Sequence, residues 1–172
     1  MNMDTASIAL LVAAVALVLA LASYFRKPAA TEATPVATGP NSATALPLKL
    51  TAYERLVLLC ERISLPALIG RTSSADLSAQ EMRYVLVENI KQEFDYNASQ
   101  QIYVSDAAWS AVRNLRDQSL LVINQVTGTL PPDARAGDLN KKLLEVLMQQ
   151  DGTALHTAAL ETLNSEAKKI MQ

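Results

Sequence analysis

From Thr5 to Phe25 the chain carries no charged side chain. At about 1.5 Å per residue, some 20 apolar residues cover the roughly 30 Å hydrocarbon core of a bilayer. A lone segment in lipid must satisfy its own backbone hydrogen bonds, and only a helix does so. Leu, Val, Ile and Ala fill the run, and Tyr24 and Phe25 close it, where aromatic rings favour the membrane interface. The sequence therefore predicts a single N-terminal transmembrane helix, with residues 1–27 forming the anchor and its flanking charges.

Whether this segment stays depends on where its charges lie. A secretory signal places positive charge ahead of its apolar run. Here the one charged side chain ahead of it is Asp4, and the cations Arg26 and Lys27 follow directly. Lys and Arg beside a span are retained on the cytoplasmic side. The expected result is an uncleaved anchor in the inner (cytoplasmic) membrane, single-pass, with the C-terminal domain in the cytoplasm. The competing reading is cleavage near Ala20-Leu21-Ala22-Ser23, where small residues suit a signal peptidase. The same span holds a seam. Ala6, Ala9, Ala13, Ala16, Ala20 and Ser23 are spaced 3-4-3-4-3 and share one side of a helix. Small residues let helix backbones approach closely in lipid, and a period of 3.5 is the left-handed crossing geometry. The seam reads as a face for self-association or for packing on a partner's helix, or as a chance alignment in an Ala-rich span.

Residues 28–49, "PAATEATPVATGPNSATALPLK", lack apolar periodicity and are rich in Pro, Ala and Thr. They read as a disordered linker, and as a coil their 22 residues would span roughly 26 Å. Residues 50–172 form the expected cytoplasmic helical domain. From Thr51 onward it holds 12 Lys and Arg against 15 Asp and Glu, a net charge of −3. With no basic block, it lacks a nucleic-acid footprint and a polybasic lipid patch. Cys60 is the only cysteine, so no intrachain disulfide forms.

The domain reads as all-α, a four- or five-helix bundle. Thr51 and Glu54 have capping-box spacing and open a helix that ends before Pro66. Leu65 to Gly70 reads as a short helical turn or an apolar loop packed on the core. Ser78 with Glu81 repeats the box ahead of a helix over 79–97, whose Met82, Leu86, Ile90 and Phe94 share a face. Ser105 is the expected N-cap of a helix over 106–127, with Gly128 placed to terminate it. Helices over 137–150 and 153–171 flank Asp151-Gly152 and are expected to form an antiparallel hairpin. No segment reads as a strand with a partner.

Two stretches are distinctive: "LTAYERLVLLCERI" from Leu50 to Ile63, and "YNASQQIYVSDAAW" from Tyr96 to Trp109. With the N-terminal span and the low-complexity tether, they resemble an uncharacterised family of short, N-terminally membrane-anchored proteins from Gram-negative bacteria. The resemblance implies an anchor and a helical domain and supplies no catalytic residue. Taken physically, the second stretch has two readings. Ile102, Tyr103, Val104 and Trp109 fill the gap where two helices meet, or Gln100, Gln101, Tyr103 and Trp109 line a partner groove. Asn97-Ala98-Ser99 also matches a glycosylation sequon, idle in a cytoplasmic domain.

Catalytic and metal chemistry find little footing. His156 is the only histidine, and position 153 is Thr, so no Glu-x-x-His motif exists. Cys60 lies inside "LVLLC", the setting of a buried, inert thiol, and His156 is expected in solvent. Phosphate-cradling and nucleophile-elbow motifs are missing. Glu88, Glu93 and Asp95 form an acidic stretch that a solvated helix face explains. The expectation is a non-catalytic adaptor or scaffold with no cofactor. It would hold a protein partner at the membrane or form a homo-oligomer, touching lipid through its anchor. The alternative is a membrane-tethered sensor of a small ligand or lipid.

Overall fold

The computed structural model describes residues 40–149 and 154–172. The apolar run, its seam Ala6, Ala9, Ala13, Ala16, Ala20 and Ser23, and the cations Arg26 and Lys27 lie outside them. Among the described residues, no helix is long and apolar enough to cross a membrane.

Six α-helices and one 3-10 turn follow one another: α1 Pro40–Ile63, α2 Leu65–Thr72, α3 Ala79–Asn97, the turn Ala98–Ile102, α4 Asp106–Gly128, α5 Ala136–Gln149 and α6 Ala154–Ile170. The all-helical expectation holds among the described residues, with one helix more than the four or five expected. The extra element is α2. Pro66 stands in its first turn, where a missing N–H costs nothing, and Leu65, Leu68 and Ile69 are buried.

α1 starts well ahead of the expected capping box at Thr51 and takes in the last ten residues of the expected linker. Ala45, Leu46, Leu48, Lys49 and Leu50 are good helix formers, so the Thr51–Glu54 signal falls inside a helix already running. Pro47 sits within this helix. Leu48 and Lys49 beside it are exposed, whereas Ala52, Tyr53, Leu56, Leu59, Cys60 and Ile63 are buried.

The other boundaries follow local chemistry. Ser78 and Glu81 form the full capping box of α3, with Ser78 Oγ accepting from Glu81 N–H and the Glu81 carboxylate accepting from Ser78 N–H. Ser105 Oγ accepts from the Ala108 N–H at the start of α4. α4 ends on Thr129, whose hydroxyl donates to the Val126 carbonyl at 2.7 Å, rather than on a left-handed Gly128. Asp138 accepts from the Arg135 N–H ahead of α5.

Met82, Leu86 and Ile90 of α3, Val112 and Ile123 of α4, and Leu139 and Leu143 of α5 meet Leu56, Leu59 and Ile63 of α1 and Leu163 of α6 in one core. α3 packs on α1, α4 and α5, while α6 packs on α1 and α4. α5 and α6 are therefore not the packing pair that the short Asp151-Gly152 link suggested, because the Ala159 and Leu163 stripe of α6 is taken up by α1 and α4. The connections entering α3 and α5 are tied together by backbone bonds. Ala79 N–H donates to Ala134 O at 2.9 Å and Ala136 N–H to Leu77 O at 3.0 Å, a single antiparallel bridge across Ser78 and Arg135.

Candidate functional site

The turn between α3 and α4 divides the residues expected to act together. Asn97 is buried at the end of α3, donating to the Glu93 carbonyl and accepting from Arg55 Nε at 3.3 Å. Its side chain is thereby withdrawn from any modification at the sequon. Gln100 is buried, with its amide on Ser99 Oγ, and Gln101 folds onto its own turn through the Ala98 carbonyl. Trp109 is half-buried against Phe94, ring centroids 5.1 Å apart, and the Arg116 guanidinium covers the Phe94 ring at 4.0 Å. Such aromatic and cation–π contacts are those of a filled helix junction. Ile102 and Tyr103 instead point outward, 72% and 37% exposed. Gln100, Gln101, Tyr103 and Trp109 thus do not form one groove. Trp109 and Val104 fill the junction, and Ile102 and Tyr103 do not.

Tyr103 belongs to a different constellation. Tyr53 on α1 donates its hydroxyl to Glu166 Oε2 on α6 at 2.7 Å. Ser105 donates to the same carboxylate at 2.6 and 2.8 Å, and the Ser105 N–H points to the Tyr53 oxygen at 3.4 Å. Burial, then the bond to Glu166, raise the Tyr53 hydroxyl above its ordinary value. This knot ties α1, the start of α4 and α6 at one point. It also places a carboxylate near the positive end of α4. Around it opens a cleft of about 430 Å³ lined by Lys49, Tyr53, Ile102, Tyr103, Val104, Ser105, Glu166, Lys169 and Ile170.

A second groove, about 590 Å³, runs between α1 and α3, lined by Arg55, Leu58, Leu59, Arg62, Gln92, Glu93, Tyr96 and Asn97. Leu58 is 61% and Tyr96 76% exposed. Arg55 lies over the Tyr96 ring at 5.2 Å, and Arg62 pairs with Glu93. Glu93 of the acidic stretch is therefore a pinned partner of Arg62, with Arg71 4.0 Å away. The apolar run "LVLLC" reads as a stripe widened by both Leu58 and Leu59; the structure buries Leu59 and leaves Leu58 exposed. The Tyr53–Ser105–Glu166 knot joins residues too far apart in sequence to be found.

Cys60 is fully buried, and burial, then the charge of Glu61, push its thiol up to about 12. At neutral pH it is a protonated, inaccessible thiol, as its sequence setting suggested. His156 departs from expectation. It is largely shielded, its Nε2 makes no hydrogen bond, and the nearest carboxylate oxygen is Glu61 Oε2 at 3.6 Å. It lines an apolar cavity of about 140 Å³ with Leu65, Leu115, Val122, Leu147 and Leu155, because the first turn of α6 lies against α2 and α4 there. Among the described residues, no three His, Cys, Asp or Glu side chains cluster to hold a metal.

The arrangement thus offers two surface grooves and an inert core thiol. The comparison with protein families accounts for nearly the whole chain. It belongs to a family of unknown function, DUF7935, whose model matches residues 1–170. The apolar N-terminal run and the helical domain are therefore parts of one family architecture. Searches of curated proteins and of solved structures gave no match to the chain.

Proposed function

We propose that this DUF7935 chain is a single-pass, membrane-anchored helical adaptor that is not an enzyme and holds a protein partner at the inner membrane. The run Thr5–Phe25 is its anchor, and Arg26 and Lys27 keep the domain on the cytoplasmic side. The observation that carries the reading is the α1–α3 groove. Leu58 and Tyr96 stand exposed there between Arg55 and Arg62, which suits the apolar face of a partner helix. Aromatic and Arg side chains are the usual anchors of such contacts. Tethering raises the effective concentration of domain and partner, so a modest surface suffices. The seam Ala6–Ser23 adds a route to self-association within the bilayer.

The sensor alternative has less to support it. Ligand pockets run to about 300–1,000 Å³ and bury most of the ligand; the apolar cavity beside His156 has about 140 Å³, and the clefts of about 430 and 590 Å³ lie open at the surface.

Photo-cross-linking in intact cells tests the adaptor. A cross-linker at Tyr96 is expected to capture one stoichiometric protein, and Leu58→Asp to abolish the capture while the domain stays folded. Tyr84, exposed on the same helix but not lining the groove, serves as the control. Equal capture at both positions, or none at Tyr96, would sink the proposal.

A further inference from the structure

We infer that the cleft around the Tyr53–Glu166 knot docks on the anionic surface of the bilayer, orienting the domain. The inference rests on the anchor reading above and concerns a surface that the sequence does not display. Lys49 and Lys169 lie 120 positions apart in sequence and flank the same cleft, together with Ile102, Tyr103 and Ile170. Leu46 is one turn ahead of Lys49 on the same side of α1. Neither lysine takes part in an ion pair among the described residues. The carboxylate in the cleft, Glu166, accepts from both Tyr53 and Ser105. Free cations beside an exposed Ile and Tyr are the chemistry of a membrane interface. Lysines meet lipid phosphates, and an amphipathic ring settles at headgroup level.

The chain outside the described residues favours this occupant over a soluble protein. Residues 28–39 are all that separate Lys27, at the end of the expected span, from the start of α1. Whatever their conformation, these residues span at most about 40 Å at roughly 3.3–3.6 Å each, which keeps the start of α1 within that reach of the expected span. The α1–α3 groove uses Arg55, Leu58 and Arg62, which lie about half a turn around α1 from Lys49 and Tyr53. Docking through the cleft would turn that groove away from the lipid, toward a partner.

The test uses the full chain reconstituted in nanodiscs of phosphatidylcholine with or without phosphatidylglycerol. Ile102→Cys carries an environment-sensitive dye, and the buried Cys60 stays unlabelled. In discs containing phosphatidylglycerol, brominated lipid is expected to quench the dye several-fold more than in neutral discs. Lys49→Glu with Lys169→Glu should remove the difference without changing the thermal unfolding of the domain. An unquenched dye on a chain that remains in the disc overturns the inference alone and leaves the cleft to a protein partner. Quenching indifferent to charge reversal also overturns it. A chain that fails to enter the disc overturns the anchor, and this inference with it.

Discussion

A thiol and a phenol in this domain are both held in their neutral forms by burial. Cys60 is pushed up to about 12 by its surroundings, and Tyr53 is raised as well. A raised acid resists ionisation in the folded state while the unfolded chain ionises at its ordinary value. The associated stability is complete below that ordinary value, about 8.5 for a thiol, and is lost as pH climbs toward the folded value. The thermal midpoint is therefore expected to fall progressively above about pH 9, and Cys60→Ala should flatten that slope. A thiol reagent at pH 8 should find no reactive group in the folded protein and one after denaturation. Glu166 gives a second prediction at this scale. Tyr53→Phe removes a buried donor to a charged acceptor and should cost about 1.5–3 kcal/mol. A double-mutant cycle with Ser105→Ala should give a non-zero coupling, since both hydroxyls meet one carboxylate.

Helix boundaries depend on single side chains, and α3 is the clearest case. Ser78→Ala removes its cap and should lower stability by about 1 kcal/mol, measured as a shifted denaturant midpoint. The Ser78 backbone and side-chain bonds hold Glu81 below its ordinary range. The contribution of the box is present above the ordinary glutamate value and is lost as pH falls through the folded one. The same signal explains what the sequence could and could not disclose. Ser78 and Glu81 located α3 because the residues before them do not support a helix, and Met82, Leu86 and Ile90 named its buried face. Thr51 and Glu54 carry the same spacing and misplaced the start of α1, because a cap signal cannot stop a helix that the preceding Leu and Lys residues favour. The grooves were largely hidden. Lys49 and Lys169, or Arg55 and Tyr96, become neighbours only through packing. Local periodicity says which face a helix buries and nothing of what the far ends of two helices enclose.

The whole domain is built on one core. Its buried apolar cluster runs from Tyr53 to Leu163, and Gly39–Gln172 forms a compact unit by itself. Residues 39–172 expressed alone are expected to unfold in one transition, coincident by circular dichroism and tryptophan fluorescence. Separate transitions would contradict the single core. Leu56→Ala, at a fully buried position of α1, should cost that transition about 2–5 kcal/mol.

α1 also has a mechanical consequence. Its 24 residues make a rod of about 36 Å, with its C-terminal half clamped in the core. Its N-terminal half contains Pro47, whose missing N–H removes one rung of the helical ladder. A pull on the chain ahead of Pro40 meets that weakened rung before it reaches the packed half. The rod would yield there first, shielding the core from the load.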